Sequence, residues 1–440
     1  MTSGPIRSLG SLRSIWRDPT RRRWALWAIL AASFLLVSLY RLSTAVLAEN
    51  LMRALSMSGT QLGTLHAVFF LVYALLQLPT GVLVDRFGPR LTAAAGATVM
   101  NLAAVWFALA GSYATALVAR LLIGLGGSLI FVAVLRFCAN WYRPDEFGTM
   151  SGLSFAVGGA GGLLATTPLA VVVSAAGWRP TVAGLGVAGL VVAAAILIFV
   201  RDTASAAGLE PVTGVPDQDR PSMREIGGYA ARILSDRWAW AVAVLLYCTG
   251  GVQLTLIGLW GIPYIVQVYD VSVTTASTIT LLGGIGTAAG PPAFGWLSDR
   301  TGVRTTFVVG AAIAQTAALG IIAAVGDPPF FVVGVVFLAV GGLVGAFVLT
   351  YPMVRSRYDD RASGVAIGAI NGASFFGAAT FPTLMGTVLD AYWTGELLDG
   401  VRVYTMTGYR VAFAIGAVAG VIAIGCATWL HRHDGAATTT

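Results

Sequence analysis

Three arginines lie inside long apolar runs of the sequence: Arg41, Arg120 and Arg136. An arginine within a bilayer costs about 2.5–3.5 kcal/mol on insertion scales, so each one needs an explanation. Arg41 lies roughly 9 Å beyond the centre of its run, and the nearest acid of that run, Glu49, follows eight residues later. Such a guanidinium can bind a carboxylate, phosphate or sulfonate through two parallel hydrogen bonds. The alternative is a side chain that extends to the outer interface.

The other two arginines cannot both face one cavity. They are 16 residues apart, which places them about 160° apart around a helix. Arg136 is close to the inner end of its run, and Trp141 follows five residues later. For Arg136 we therefore favour an interfacial position.

His66, Tyr73 and Gln77 are spaced by seven and four residues within the second apolar run. This spacing gathers them on one face of a helix. An imidazole there is a candidate proton carrier if protons are coupled, and the alternative is an interior histidine that is simply hydrogen-bonded.

Polar residues in the other apolar runs complete the candidate site. Gln253 lies in the seventh run, together with Tyr247 and Tyr264, and Asn371 lies in the eleventh. We predict that the substrate-binding residues are Tyr40, Arg41, His66, Tyr73, Gln77, Gln253 and Asn371. No Asp or Glu falls in the middle of any run. A buried carboxylate usually balances a cationic cargo, so the pattern favours an anionic one.

The composition excludes a soluble protein. Of 440 residues, 57% are hydrophobic and 11% are charged, and the mean hydropathy is +0.80. A soluble domain carries roughly 25% charged residues. Cys138, Cys248 and Cys426 are too scattered for a disulfide framework or a zinc site. We expect an all-α membrane protein that requires no cofactor, no metal and no nucleic acid, with the lipid bilayer as its solvent.

Twelve apolar runs are long enough to cross a bilayer, which takes about 20 residues. The predicted spans are 24–47, 61–84, 92–111, 114–138, 149–174, 180–200, 238–265, 274–297, 305–325, 330–353, 364–388 and 409–430. All 27 basic residues are arginine, and 20 of them fall on the side of the two termini. The positive-inside rule then predicts a multi-pass protein of the cytoplasmic membrane with both termini in the cytoplasm.

The chain repeats itself at an offset of 214 residues. The segment G-V-L-V-D-R-F-G-P-R at 81–90 matches G-W-L-S-D-R-T-G-V-R at 295–304. We therefore predict two six-helix bundles at 24–200 and 238–430, with tails at 1–23 and 431–440 and a cytoplasmic linker at 201–237. Within this linker, residues 223–238 form either an amphipathic helix on the membrane surface or a plain tether.

The repeated segment resembles the signature G-x-L-x-D-R-x-G-R-[KR] of the major facilitator superfamily, although Pro89 precedes Arg90. The resemblance covers residues 24–430 and implies twelve helices in two pseudo-symmetric bundles that rock to give alternating access. It also implies that six residues latch the cytoplasmic side: Asp85, Arg86, Arg90, Asp299, Arg300 and Arg304. The run from Arg120 to Gly126 is similar to the R-x-x-x-G-x-G segment of the fourth span, which is tied to proton coupling.

Several further stretches resemble prokaryotic carriers of organic or inorganic anions, including Gly258–Tyr264. The sequence thus predicts a transporter of a small anionic solute, coupled to H⁺. The alternative is a peptide or amino-acid carrier of the same fold, in which Arg41 would bind the carboxylate of the substrate. No H-E-x-x-H or G-x-S-x-G motif is present, so an intramembrane enzyme is disfavoured.

Overall fold

The computed structural model describes residues 19–210, 223–358 and 360–434, and almost all of this chain is helical. The helices of the first half are α1 (Pro19–Leu42), α2 (Thr44–Leu55), α3 (Gly59–Ala108), α4 (Tyr113–Trp141), α5 (Pro144–Leu164), α6 (Thr167–Ala176) and α7 (Trp178–Phe199). Those that follow are α8 (Met223–Ser235), α9 (Arg237–Thr255), α10 (Gly261–Tyr269), α11 (Val273–Thr301), α12 (Arg304–Val325), α13 (Phe330–Val348), α14 (Thr350–Arg357), α15 (Asp360–Ala391) and α16 (Met406–Asp434). The strands β1 (Trp393–Leu398) and β2 (Val401–Tyr404) form an antiparallel hairpin.

The apolar runs fold as membrane-crossing helices. Among the described residues, eleven helical stretches are long and apolar enough to span a bilayer. The helix α3 supplies two of them, Gly59–Gln77 and Pro79–Ala108, and it is kinked at Gly88, which adopts a φ of 80°. The helix α11 occupies the position of the eighth predicted span and is richer in Thr, Ser and Gly than the others. The prediction of an all-α membrane fold is confirmed.

Two interruptions occupy matching positions of the repeat. In the first span, α1 ends at Leu42 and α2 begins at Thr44. In the seventh, a π-helical turn at Leu256–Trp260 separates α9 from α10. The first span also continues to Leu55, eight residues past its predicted end.

Glycines let helices of the same bundle approach at backbone distance. A Cβ atom on Gly126 would lie 2.4 Å from the carbonyl oxygen of Gly96, where α4 crosses α3. In the second bundle, a Cβ on Gly345 would lie 2.2 Å from the backbone of Gly290, where α13 crosses α11. Larger residues cannot occupy these crossings, which explains why glycines lie inside apolar helices.

The two bundles meet along a surface that we call the seam. It is formed by Gly59, Thr60, Gly63 and Thr64 at the start of α3, and by Pro382, Thr383, Gly386, Thr387 and Asp390 at the end of α15. A Cβ on Gly63 would lie 2.3 Å from the Pro382 carbonyl oxygen, and one on Gly386 would lie 2.2 Å from that of Gly59. The seam is on the side of the molecule opposite the termini.

Asp390 stabilises the closed seam through hydrogen bonds and an ion pair. Its carboxylate accepts hydrogen bonds from the backbone amides of Gly59 and Thr60, both at 2.8 Å, and from the Thr60 hydroxyl at 2.6 Å. It also pairs with Arg402 of β2 at 3.1 Å. An acid of one bundle therefore caps the first turn of α3 in the other, where the helix dipole favours negative charge.

Candidate functional site

Arg41 lies in the last turn of α1, immediately before the interruption of the first span. Because α2 carries this span on to Leu55, Arg41 is close to the midpoint between Trp24 and Leu55, deeper than the 9 Å offset that we predicted from the shorter span. Its side chain is half-buried rather than exposed.

Two aromatic rings hold the Arg41 guanidinium. Its Cζ lies 4.9 Å from the centroid of the Tyr73 ring in α3 and 5.3 Å from that of Phe375 in α15. These are cation–π distances, and they link both bundles to one charge. The Nε atom is buried without a hydrogen-bond partner, and across residues 19–210, 223–358 and 360–434 no carboxylate pairs with this side chain. The guanidinium thus retains donors for an anion.

Arg120 is buried at a similar depth, but its two terminal nitrogens donate to the protein. It donates to the Tyr40 carbonyl and to the Thr44 hydroxyl, both at 2.8 Å, and its Cζ lies 5.0 Å from the centroid of the Phe69 ring. Tyr40 and Thr44 flank the interruption of the first span. Arg120 therefore satisfies backbone and hydroxyl oxygens that the broken helix exposes, and positions the segment that carries Arg41.

The structure groups only part of the predicted substrate set around Arg41. Tyr73 lies beneath the guanidinium, and Gln77 is half-buried one turn further along α3. The Tyr40 hydroxyl instead donates to Asn101 Oδ1 at 3.0 Å inside the first bundle. Adjacent residues of a helix point about 100° apart, which separates Tyr40 from the side of Arg41.

The polar residues predicted in the second bundle have partners in their own bundle. The Gln253 amide donates to the Thr287 hydroxyl at 3.3 Å, and Asn371 Oδ1 accepts from the Tyr351 hydroxyl at 2.8 Å. Phe375, one turn beyond Asn371 in α15, is the residue of this bundle that contacts Arg41. Sequence reasoning missed Phe375, and its spacing of four from Asn371 was the available signal.

His66 is fully buried, and neither ring nitrogen has a hydrogen-bond partner. Its ring lies 5.0 Å from that of Phe70 in centroid distance. The prediction placed His66 on the same face as Tyr73, and the two do share a helix face. The imidazole nevertheless contacts the π-helical turn of the other bundle, at Gly258, rather than Arg41.

The repeated D-R-x-G-x-R loops differ between the two bundles. Asp85 pairs with Arg136 at 3.2 Å, so Arg136 contacts this loop from the inner end of its span. Arg90 donates to the Leu197 carbonyl at the end of α7, while its own amide donates to Asp202. Arg86 is exposed, with its Cζ 5.5 Å from the Phe87 ring centroid.

In the second bundle the matching residues, Asp299, Arg300 and Arg304, are all exposed. At the offset of 214, the residue that corresponds to Arg136 is Thr350, which has no charge with which to pair Asp299. The two loops therefore make different contacts in this conformation.

The fold and this site define a class of membrane protein in which two six-helix bundles meet around the guanidinium of Arg41. The sequence model of the Major Facilitator Superfamily matches residues 26–382 and 255–439. The chain belongs to this superfamily, and it is a multi-pass membrane transporter rather than a member of an enzyme family.

Known proteins similar to the chain include several anion carriers. The probable nitrate/nitrite transporter NarK2 of Mycobacterium tuberculosis is 29% identical over 361 residues, which cover 80% of this chain and 87% of that protein. The probable sulfoacetate transporter SauU of Cupriavidus necator is 25% identical over 39% of this chain and 40% of its own length. The hexuronate transporter of Bacillus subtilis is 26% identical over 34% of this chain and 35% of its own length.

Solved structures share the fold. A bacterial homologue of the human lysosomal transporter Spinster, described as inward-facing and unoccupied, superposes with a TM-score of 0.75 at 18% identity, and covers 93% of this chain and 97% of that one. The nucleoside transporter NupG superposes with a TM-score of 0.68 at 16% identity, and covers 92% of this chain and 98% of its own.

Proposed function

We propose that this protein transports a small anionic solute across the cytoplasmic membrane by alternating access, coupled to protons. The observation that carries the proposal is Arg41, a guanidinium near mid-span that two aromatic rings hold and that no acid among the described residues neutralises. An anion would complete this site through charge-assisted hydrogen bonds. The nitrate, sulfoacetate and hexuronate carriers among the relatives support the same class of cargo.

The cargo should present one anionic group to Arg41. Arg120, the other arginine at this depth, already donates to Tyr40 and Thr44 and is 3% exposed. Arg41 is therefore the guanidinium whose terminal nitrogens are left for a solute, which suits a carboxylate, sulfonate or nitrate better than a cluster of several charges.

The positive-inside distribution of arginines supports cytoplasmic termini. With that orientation the seam closes the outer side, and the conformation described here is inward-facing. Opening of the seam would then give Arg41 access from outside. We also propose that the two bundles comprise residues 24–200 and 238–430, that residues 201–237 link them, and that α8 lies on the membrane surface.

Uptake into proteoliposomes tests the cargo. We expect saturable counterflow of at least one singly charged anion, drawn from nitrate, a hexuronate and an aldonate, with no pH gradient present. An inward proton gradient should raise accumulation of that anion. Counterflow of a zwitterionic dipeptide but of none of these anions would contradict the proposal and favour a peptide carrier.

A further inference from the structure

His66 is a titratable residue placed without a polar partner inside the contact between the two bundles. Its side chain is 0% exposed, and both Nδ1 and Nε2 lack hydrogen-bond partners. Buried polar groups are nearly always hydrogen-bonded, because burial without a partner forfeits the hydration that the group had in water. The closed seam therefore imposes a cost on His66 that must be offset elsewhere.

The residue that covers His66 belongs to the other bundle. A Cβ atom added to Gly258, in the π-helical turn Leu256–Trp260, would lie 3.0 Å from His66 Cε1 and 3.2 Å from Nε2. The same position would lie 3.1 Å from Leu42 Cδ2 of α1. A glycine is thus what allows the π-helical turn to close over the imidazole. Single π-helical turns often mark functional sites.

The charged groups that face His66 oppose a second proton on its ring. Arg120 of α4 acts on the imidazole electrostatically, and Arg41 precedes Leu42 on α1. Phe70 on its own helix and Gly258 on the facing π-helical turn are not titratable. The ring is fully buried, and across residues 19–210, 223–358 and 360–434 no carboxylate pairs with it, so the neutral imidazole fits the closed seam better than the imidazolium.

We propose that His66 is a proton-binding site whose occupancy is tied to the seam: the imidazole binds a proton when the bundles part and is neutral when Gly258 covers it. The inference deepens the proposed function, since it rests on alternating access and names the group that responds to pH. By linkage, a proton that binds only the open form stabilises that form. Low pH should therefore open the seam, and high pH should close it.

Spin labels on the two bundles measure this equilibrium directly. Ala54 in α2 and Glu396 in the hairpin are both exposed, so Ala54→Cys and Glu396→Cys carry the labels on the full-length protein in nanodiscs. Cys138 and Cys248 are buried and Cys426 is half-buried, so the unsubstituted protein supplies the labelling background. For an imidazole that titrates near pH ~6.5 when hydrated, the open-to-closed ratio should rise about tenfold between about pH 7.5 and about pH 5.5.

Two variants complete the test. The open-to-closed ratio of His66→Gln should change less than about twofold over the same pH range, while His431→Gln, which alters an exposed histidine bound to Thr305, should keep the full response. His66→Phe, with a ring of similar shape, replaces the glutamine variant if the latter is not monodisperse. A pH response that survives in the His66 variant, or a flat response in the parent, would overturn the inference.

The measurement uses no cargo, so it is independent of the anion assignment. Absence of anion counterflow together with an intact pH response would remove the proposed cargo and leave the proton site standing. Anion counterflow together with a flat pH response would remove the proton site and leave the proposed cargo standing.

Discussion

Arg41 and Arg120 lie at a similar depth and are stabilised in different ways. Arg120 donates to oxygens at the interruption of the first span, whereas Arg41 rests against the rings of Tyr73 and Phe375. Aromatic faces attract a cation without accepting its hydrogen bonds in the way that oxygens do. For this reason we propose that Arg41, and not Arg120, exchanges its partners with a solute.

Phe375 should tune the affinity for the anion. Replacing it by alanine removes one face that orients the guanidinium, an interaction worth about 0.5–2 kcal/mol. We expect Phe375→Ala to raise the half-saturating anion concentration in proteoliposomes by about 2- to 30-fold, while Phe375→Tyr, which keeps the ring, stays near the parent value. Equal affinities for alanine and tyrosine would show that the ring does not support Arg41.

Arg41 is easier to propose from the sequence than the side chains around it. A lone arginine in an apolar run is visible in any sequence, and Tyr73 followed from helical spacing. Phe375 was missed, because its spacing of four from Asn371 indicates a shared helix face but not that this face meets Arg41, more than 300 residues away. The prediction of Tyr40 ignored the 100° between neighbouring helical residues.

Asp236, the residue before α9, links the start of this helix to the end of α14. Its carboxylate accepts from Arg357 Nε at 3.0 Å, from the Tyr358 hydroxyl at 2.7 Å and from the Trp238 amide at 2.9 Å. Burial alone would raise the pKa of Asp236, but these hydrogen bonds outweigh it and the pKa is lowered. The charged carboxylate thus ties the seventh span to the end of α14.

The lowered pKa of Asp236 predicts a pH-dependent contribution to stability. A depressed carboxyl pKa stabilises the fold above the unfolded-state value of about 3.9, and this contribution is lost as the pH falls through the folded-state value. Asp236→Asn should therefore lower the Tm at neutral pH, and the difference from the parent should shrink below about pH 4. A Tm difference that is constant from about pH 7 to about pH 3 would contradict this account.

Elements were predictable where hydrophobicity alone determines them. Apolar runs of about 20 residues predicted the spans, and an amphipathic pattern indicated α8, which the structure forms at Met223–Ser235. The interruption at Ser43, the π-helical turn and the hairpin at 393–404 were not predicted. Apolar residues continue through the π-helical turn, so hydropathy carries no signal of it, and the polar residues at 41–44 do not by themselves indicate a break.

The whole molecule depends on close contact between α3 and α15. Gly63 and Gly386 bring the two backbones together, and Asp390 then reaches the first turn of α3. Closure of the seam thus combines steric fit with a charged helix cap. Alternating access requires that this contact form and break in every cycle.

A larger residue at the seam should hold it open. A side chain at Gly63 would collide with the Pro382 backbone, which cannot move aside without moving α15. We expect Gly63→Val to fold, to show the open label distance between Ala54→Cys and Glu396→Cys at every pH, and to lose anion transport. Gly310→Val, at a glycine with nothing within 4 Å, is the matched control and should transport normally. A closed seam in Gly63→Val would rule out steric control by this glycine.

The repeat predicted the two bundles but not their asymmetry. An offset of 214 residues implies equivalent halves, yet Asp85 pairs with Arg136 while Asp299 remains exposed. The sequence also cannot tell which side is closed, because both closures use the same chain and differ only in conformation.

The anion site itself is tested most directly by Arg41→Gln. Glutamine keeps hydrogen-bonding capacity but removes the charge and the fork of donors, so kcat/KM for the transported anion should fall by at least about a hundredfold. Arg432→Gln, at an exposed arginine near the end of α16, should leave transport unchanged. Undiminished anion flux in proteoliposomes containing Arg41→Gln would contradict the account.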